Sequence, residues 1–115
     1  MARDRGTVLV VDDDPSLRLL CRVNLELEGY RVVEAESVDS ARSALERDDV
    51  DVMLLDVHLG GQDGLTLLST LGTEGPAVAL LTGSPATHLP DGATVIGKPF
   101  SIEQLSKTVD RLAGS

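Results

Sequence analysis

The sequence has few aromatic residues and a shortage of positive charge. Tyr30 and Phe100 are its only aromatic residues, which disfavours a function that stacks nucleobases or encloses a cation between aromatic rings. Ten Lys and Arg residues stand against nineteen Asp and Glu residues, giving a formal net charge of -9. A binder of the phosphate backbone carries the opposite charge. We therefore expect no direct binding of nucleic acid.

Disulfides and membrane-directed segments are also missing. Cys21 is the single cysteine, which excludes an internal disulfide and is compatible with a reducing cytoplasm. No stretch is apolar over the length that spans a bilayer, and the N-terminal MARDRG lacks the apolar core of a signal peptide. These features predict a cytoplasmic protein with no membrane partner. The length fits one domain over residues 1–115, with no output domain in this chain.

Five short apolar segments, rich in branched residues, predict buried strands. They cover residues 7–11, 31–35, 50–55, 77–81 and 93–96. Helical patterns lie between most of them, and this alternation is typical of a parallel sheet with helices on both faces. We therefore predict a doubly wound α/β fold. In such sheets the ligand site lies outside the carboxyl ends of the strands.

The first predicted helix has a clear start. Pro15 suits the first helical position and Asp14 suits the cap before it. Apolar residues then recur at helical spacing within one arc: they are Leu17, Leu20, Val23 and Leu27. The pattern predicts an amphipathic helix with this arc as its apolar face.

Acidic and polar residues follow the predicted strands directly and would line one edge of the sheet. In strand order they are Asp12, Asp13 and Asp14, then Asp56, Thr82 and Lys98. Acids in such places are often helix caps or solvated loop residues, and Asp14 fits that interpretation. Asp56 fits it less well, because it ends an apolar run and would bury an unpaired charge.

Pairing of the first and third strands would gather Asp12, Asp13 and Asp56 into an oxygen-rich cluster. Such a cluster suits a hard divalent ion, with Mg²⁺ as the natural candidate. The repulsion among the carboxylates would be relieved when the ion binds. Thr82 offers a hydroxyl group and Lys98 a positive charge for the oxygens of a phosphoryl group on one carboxylate.

With these features the chain resembles the receiver domains of two-component response regulators over essentially its whole length. The resemblance is carried by VLVVDDDP, DVMLLDVHLGGQDG, LLTG and GKPFS, in that order. It implies a flavodoxin-like (βα)5 fold with a five-stranded parallel sheet in the order 2-1-3-4-5. It also implies a place in a two-component phosphorelay, where the domain signals by conformational change.

The resemblance implies that Asp56 is the phosphoacceptor, which takes its phosphoryl group from a sensor histidine kinase or a histidine phosphotransfer protein. It further implies direct binding of Mg²⁺ by Asp13, Asp56 and the backbone carbonyl of His58, with Asp12 acting through a bound water. The protein would phosphorylate and dephosphorylate itself without being a turnover enzyme. Its downstream protein partner is unknown.

Three remaining residues complete the implied mechanism. Lys98 would pair with the phosphoryl oxygens, and Thr82 would move its hydroxyl group toward them to start the conformational signal. Family members commonly have a cis peptide bond before the residue at Pro99, so we expect one here.

Two departures from the family pattern concern the residues that would pass on the conformational signal. Val95 stands where most receivers have a Tyr or Phe that rotates as a switch. The interval from Thr82 to Lys98 is short and contains two prolines and three glycines, which disfavours a full helix. We therefore expect the fourth helix to be shortened or absent, as in one subgroup of receivers.

Other interpretations stay open at this point. A degenerate receiver would serve only as a protein-docking module, although Asp12, Asp13, Asp56, Thr82 and Lys98 are all present. Asp12 and Asp14 also satisfy the Asp-x-Asp pattern of haloacid-dehalogenase-type phosphatases, but those proteins are normally longer. The imidazole of His58 would be a candidate general base or metal ligand, because histidine is the residue type suited to both roles near neutral pH.

Overall fold

A computed structural model describes residues 5–59, 62–71, 75–83 and 93–114. In chain order its elements are β1 (Thr7–Val11), α1 (Pro15–Leu27), β2 (Arg31–Ala35), α2 (Val38–Arg47), β3 (Val52–Asp56), β4 (His58–Leu59), β5 (Gln62–Asp63), α3 (Leu65–Leu68), β6 (Ala77–Thr82), β7 (Thr94–Gly97) and α4 (Ile102–Gly114). All five predicted strands are present, with bounds shifted by at most two residues.

The main sheet has the order β2-β1-β3-β6-β7, and every neighbouring pair is parallel. Counting only these strands, this is the predicted order 2-1-3-4-5. The short strands β4 and β5 form a separate antiparallel pair, which the sequence did not predict. The expected loss of the fourth helix concerns residues 84–92, which lie outside the described residues.

Helices cover both faces of the sheet, so its strands are apolar on both sides. Alternate residues of β1 point to opposite faces. Val8 and Val10 pack with the buried side chains of α1 and α4, whereas Leu9 and Val11 pack with those of α2 and α3. Burial on both faces explains the nearly continuous apolar runs of the strands.

Helix α1 starts as predicted but buries a different face. The Asp14 carboxylate caps it by accepting a 2.9 Å hydrogen bond from the backbone N–H of Ser16. The buried residues are Cys21 and Leu25, while Leu20 is 43% exposed and Leu27 is 80% exposed. Of the predicted apolar arc only Leu17 packs against the core, so most of the arc is not the buried face. Helical spacing identifies apolar arcs, but packing against the sheet decides which arc is covered.

The strand register brings the ends of four strands to one edge. Val11 pairs with Leu55, Asp56 with Leu81, and Thr82 with Gly97. Residues directly after β1 and β7 consequently lie beside the last residues of β3 and β6.

No helix in the described part of the chain has the length and apolar character needed to cross a membrane.

Candidate functional site

The three carboxylates predicted to form a cation site lie together at this edge. One oxygen from each of Asp12, Asp13 and Asp56 can be chosen so that all lie within 4.8 Å of one another. Asp12 and Asp56 are buried and Asp13 is exposed. Carboxylate oxygens are the ligands that a hard divalent cation prefers. The donor set therefore fits Mg²⁺.

Hydrogen bonds hold both the backbone and the side chain of Asp12. Its backbone N–H donates to the carbonyl of Ala35 at 3.1 Å, which continues the β1 to β2 ladder. One side-chain oxygen, Oδ1, accepts from the backbone N–H of Asp14 at 2.9 Å. The other, Oδ2, accepts from Nζ of Lys98 at 2.8 Å. A fully buried carboxylate is thus stabilised by hydrogen bonds and a cationic partner.

Asp56 is less completely compensated. Its Oδ1 accepts a 3.0 Å hydrogen bond from the backbone N–H of His58, and its Oδ2 lies 3.3 Å from Nζ of Lys98. Burial raises the pKa of Asp56, an effect that the His58 N–H opposes and the charge of Asp12 reinforces. The ionised form of Asp56 therefore gains from any further positive charge at this edge.

Lys98 connects the two buried carboxylates. Burial acts to lower the pKa of Lys98, but hydrogen bonds and charge from Asp12 and Asp56 outweigh it, and the pKa is raised overall. The lysine is thus held as a cation. Its backbone N–H donates to the carbonyl of Thr82 at 2.7 Å, which ties the end of β7 to the end of β6. The Lys98–Pro99 peptide bond is cis, as expected.

The remaining predicted residues lie nearby. Thr82 is buried at the end of β6, one position beyond Leu81, the register partner of Asp56. His58 is exposed, and its imidazole is not part of the one metal-capable cluster found among the described residues. The backbone of His58 is the part that contacts Asp56.

Gly64 is a site residue that the sequence reasoning missed. A Cβ atom at this position would lie 2.1 Å from the carbonyl oxygen of Asp56 and 3.3 Å from that of Val57. The N–H of Gly64 donates to the Val57 carbonyl at 2.8 Å. The segment after Asp56 therefore folds back onto the backbone of Asp56 itself. The Asp63-Gly64 step before α3 is the turn signal that marks this position.

An apolar surface on α1 adjoins the site. The exposed residues Leu19, Leu20, Val23 and Leu27 form it, and we call it the α1 surface. Large exposed apolar patches commonly mark protein contacts. A cavity of about 350 Å³ is lined by Leu17, Leu20, Phe100 and Lys98, with Asp14 and Pro99. The α1 surface is thus continuous with the edge that holds the carboxylates.

A doubly wound domain with acidic residues and a lysine at the carboxyl edge of its sheet has the organisation of a phosphoacceptor signalling domain. Comparison with models of protein families identifies the family. The model described as "Response regulator receiver domain" matches residues 8–110. The chain belongs to the response regulator receiver family, as the resemblance implied.

Two curated relatives illustrate the family relation. "Probable transcriptional regulatory protein TcrX" of Mycobacterium tuberculosis is 38% identical over 107 residues, which cover 86% of this chain and 46% of that protein. Transcriptional regulatory protein GlrR of Escherichia coli is 31% identical over 96% of this chain but only 25% of its own length. The chain therefore spans less than half the length of these relatives.

A solved structure agrees with this assignment. The chemotaxis response regulator CheY4 of Vibrio cholerae is 26% identical to the chain, covers 93% of it and superimposes with a TM-score of 0.81. The alignment takes in 98% of the CheY4 chain. The described sheet and helices are thus those of a receiver domain.

Proposed function

We propose that this domain accepts a phosphoryl group on Asp56 from a phosphohistidine of a sensor histidine kinase or a histidine phosphotransfer protein. The observation that carries the proposal is the cluster of Asp12, Asp13 and Asp56 with Lys98 within 3.3 Å of two of its members. Membership of the receiver family supports the same chemistry.

The proposed transfer moves one phosphoryl group between two side chains. A carboxylate oxygen of Asp56 attacks the phosphorus atom, an O–P bond forms, and the N–P bond of the phosphohistidine breaks. The electron pair of that bond stays on the imidazole nitrogen. Lys98 is already within reach of Asp56 and would pair with the phosphoryl oxygens. Its charge therefore favours the product without any movement of the backbone.

The proposed cation ligands are Asp13, Asp56 and the backbone carbonyl of His58, with Asp12 acting through water. Bound Mg²⁺ would neutralise negative charge on the phosphoryl oxygens and on the carboxylates. Asp12 is held rigidly by its backbone and by Lys98. Asp13 is exposed, so this carboxylate keeps the site open to solvent on one side.

Signalling would start at Thr82 and travel through the backbone. The Thr82 hydroxyl would approach the new phosphoryl group and displace the end of β6. Because the Thr82 carbonyl accepts the N–H of Lys98 at 2.7 Å, movement of β6 is passed to the end of β7. Val95 on β7 carries no ring that rotates. The phosphorylated domain would dephosphorylate itself by hydrolysis, and it turns over no external substrate.

The α1 surface is the proposed docking face for the phosphodonor. Its residue Leu20 lines the same cavity as Lys98, so a donor helix packed on Leu20 and Val23 would have its phosphohistidine near Asp56. The downstream partner is an unidentified protein, and we expect this domain to make no direct contact with nucleic acid. We place these encounters in the cytoplasm.

The phosphatase alternative uses Asp14, and the position of Asp14 disfavours it. That reaction requires Asp12 and Asp14 to act on the same phosphoryl group. The Asp14 carboxylate instead accepts the N–H of Ser16 as the cap of α1. It is also not a member of the metal-capable cluster.

The proposal is tested by incubating the protein with Mg²⁺ and acetyl phosphate and measuring intact mass. The parent chain should gain one labile phosphoryl group, and Asp56→Asn should gain none. Asp14→Asn is the matched control, because asparagine also caps helices and this residue lies outside the cluster. It should be phosphorylated like the parent chain.

Two outcomes would contradict the proposal. Loss of the adduct in Asp12→Asn together with full phosphorylation of Asp56→Asn would favour the phosphatase interpretation. No adduct in the parent chain, with either acetyl phosphate or a phosphorylated phosphotransfer protein as donor, would leave a protein-docking module.

A further inference from the structure

Arg18 connects helix α1 to the peptide that joins Asp12 and Asp13. Its Nη1 donates a 2.7 Å hydrogen bond to the backbone carbonyl of Asp12. Its Nε donates a 3.0 Å hydrogen bond to Oε1 of Glu34 on β2. Helical side chains lean toward the helix N-terminus, and this one is only 17% exposed. Arg18 therefore lies against the end of β1, with little of its side chain in solvent.

Glu34 fixes the orientation of the Arg18 guanidinium group. Its second oxygen, Oε2, accepts a 3.0 Å hydrogen bond from Nη1 of Arg22, so the carboxylate is itself held from two sides. Because the guanidinium group is planar and rigid, two hydrogen bonds from different nitrogens set both its position and its plane. A lysine at position 18 would keep the charge but lose this paired geometry.

The bond to the Asp12 carbonyl controls the direction of Asp13. That carbonyl belongs to the same rigid peptide plane as the N–H of Asp13, so a rotation of the plane would turn the Asp13 side chain. The Asp12 side chain is independently held by Asp14 and Lys98. Asp13 is therefore the cluster member most dependent on Arg18.

The charges around Arg18 nearly cancel. Arg18 and Arg22 face the carboxylates of Glu34 and Glu26, with Arg22 Nε 3.3 Å from Glu26. Two positive and two negative groups give this network no net formal charge. The contribution of Arg18 to cation binding is consequently geometric.

We infer that Arg18 is a positioning residue for the cation site, which holds the Asp12 carbonyl and thereby the direction of the Asp13 carboxylate. The inference rests on the proposed function, because it takes Asp12, Asp13 and Asp56 as the residues that hold the cation. It extends the site from the sheet edge into the first turn of α1.

The test compares Arg18→Lys with Arg22→Lys in the full chain. Both arginines lie on α1 and donate hydrogen bonds to Glu34. Of the two, Arg18 also donates to Asp12 in the described hydrogen bonds, and Arg22 does not. Mg²⁺ affinity measured by isothermal titration should fall about tenfold in Arg18→Lys and stay at the parent value in Arg22→Lys. The free energy of unfolding without Mg²⁺ should change by similar small amounts in the two variants.

Parent-like Mg²⁺ affinity in Arg18→Lys would overturn the inference, and so would equal losses of affinity in both arginine variants. The variant Asp13→Asn shows whether such a result means that Arg18 has no positioning role or that the proposed cation site itself is wrong. If Asp13→Asn binds Mg²⁺ like the parent chain, the cation site and the inference are both wrong. If Asp13→Asn loses affinity while Arg18→Lys keeps it, only the role of Arg18 is wrong.

A second variant covers the case in which Arg18→Lys does not fold. Glu34→Gln keeps Arg18 but weakens the contact that orients it. This variant should bind Mg²⁺ more weakly than the parent chain and more tightly than Asp13→Asn. Parent-like affinity in folded Glu34→Gln would overturn the inference.

Discussion

Acidic residues have different interaction partners at the two ends of the parallel sheet. At the amino end Asp110 accepts a 2.5 Å hydrogen bond from the Tyr30 hydroxyl and pairs with Arg5 at 3.1 Å. Asp51 there accepts the N–H of Thr7 at 2.8 Å. At the carboxyl end three clustered carboxylates have one ion-pair partner among the described residues, Lys98, which contacts two of them.

The difference shows which acids serve stability and which suit a ligand. At the amino end the charge of Asp110 has a matching guanidinium group, and Arg5 also lies 4.8 Å above the Tyr30 ring. At the carboxyl end negative charge exceeds positive charge, and burial raises the pKa of Asp56. An uncompensated buried charge weakens a fold unless a further cation binds. The excess of negative over positive side chains therefore identifies the carboxyl end of the sheet as the functional end.

The largest effect is expected from Gly64→Ala at the carboxyl end. The new Cβ would lie 2.1 Å from the Asp56 carbonyl oxygen, so the backbone must shift. We expect a loss of about 3 kcal/mol in the free energy of unfolding, measured by urea denaturation, together with slower phosphorylation. Gly97→Ala is the control, since a Cβ there meets nothing within 4 Å. Equal stabilities of the two variants would contradict the close approach.

A smaller effect is expected from Tyr30→Phe at the amino end. The substitution removes the hydroxyl that donates to Asp110 and keeps the ring. Loss of this partly buried hydrogen bond should lower the free energy of unfolding by about 1 kcal/mol. Phosphorylation from acetyl phosphate should be unchanged. A variant that folds stably but is phosphorylated more slowly would show that the two ends are not independent.

The same tyrosine predicts a loss of stability at alkaline pH. Burial, followed by the hydrogen bond to Asp110, raises the pKa of Tyr30 from 10.0 to about 12. The unfolded chain loses this proton first. The contribution of Tyr30 to stability is therefore complete below about pH 10 and disappears as the pH rises to about 12. Urea midpoints measured across this interval should decline less steeply in Tyr30→Phe than in the parent chain.

The smallest effect concerns Cys21, whose side chain on α1 packs against the sheet. Burial raises the pKa of its thiol from 9.0 to about 12, so almost no thiolate exists near neutral pH. A thiol-specific reagent should label folded protein only at the rate of unfolding, and Mg²⁺ should slow the labelling. Rapid labelling of the folded chain would show that Cys21 is not buried against the sheet as described.

Most of the fold was predictable because each local signal agreed with the others. The strands are short apolar runs, and Asp14 with Pro15 marks the start of α1. The sheet edge was predictable for the same reason, since parallel strands place their carboxyl ends together. Asp12 and Asp56 could therefore be assigned to one cluster from their positions alone.

The remaining features depend on tertiary contacts and not on local sequence patterns. Leu20 and Leu27 satisfy helical periodicity, yet the packing of α1 on the sheet turns them outward. The close approach of Gly64 to Asp56 depends on the path of the intervening loop. The contact of Arg18 with the Asp12 carbonyl occurs together with its pairing to Glu34 on β2. None of these contacts has a local sequence signal that specifies its partner.

The most direct test of the difference between the two ends is a Mg²⁺ titration followed by thermal denaturation. If the acid surplus at the carboxyl end is a cation site, saturating Mg²⁺ should raise the melting temperature by about 5 °C or more. Asp13→Asn should lose most of this rise, and Asp110→Asn at the amino end should keep it. A melting temperature that is the same with and without Mg²⁺ in the parent chain would contradict the account.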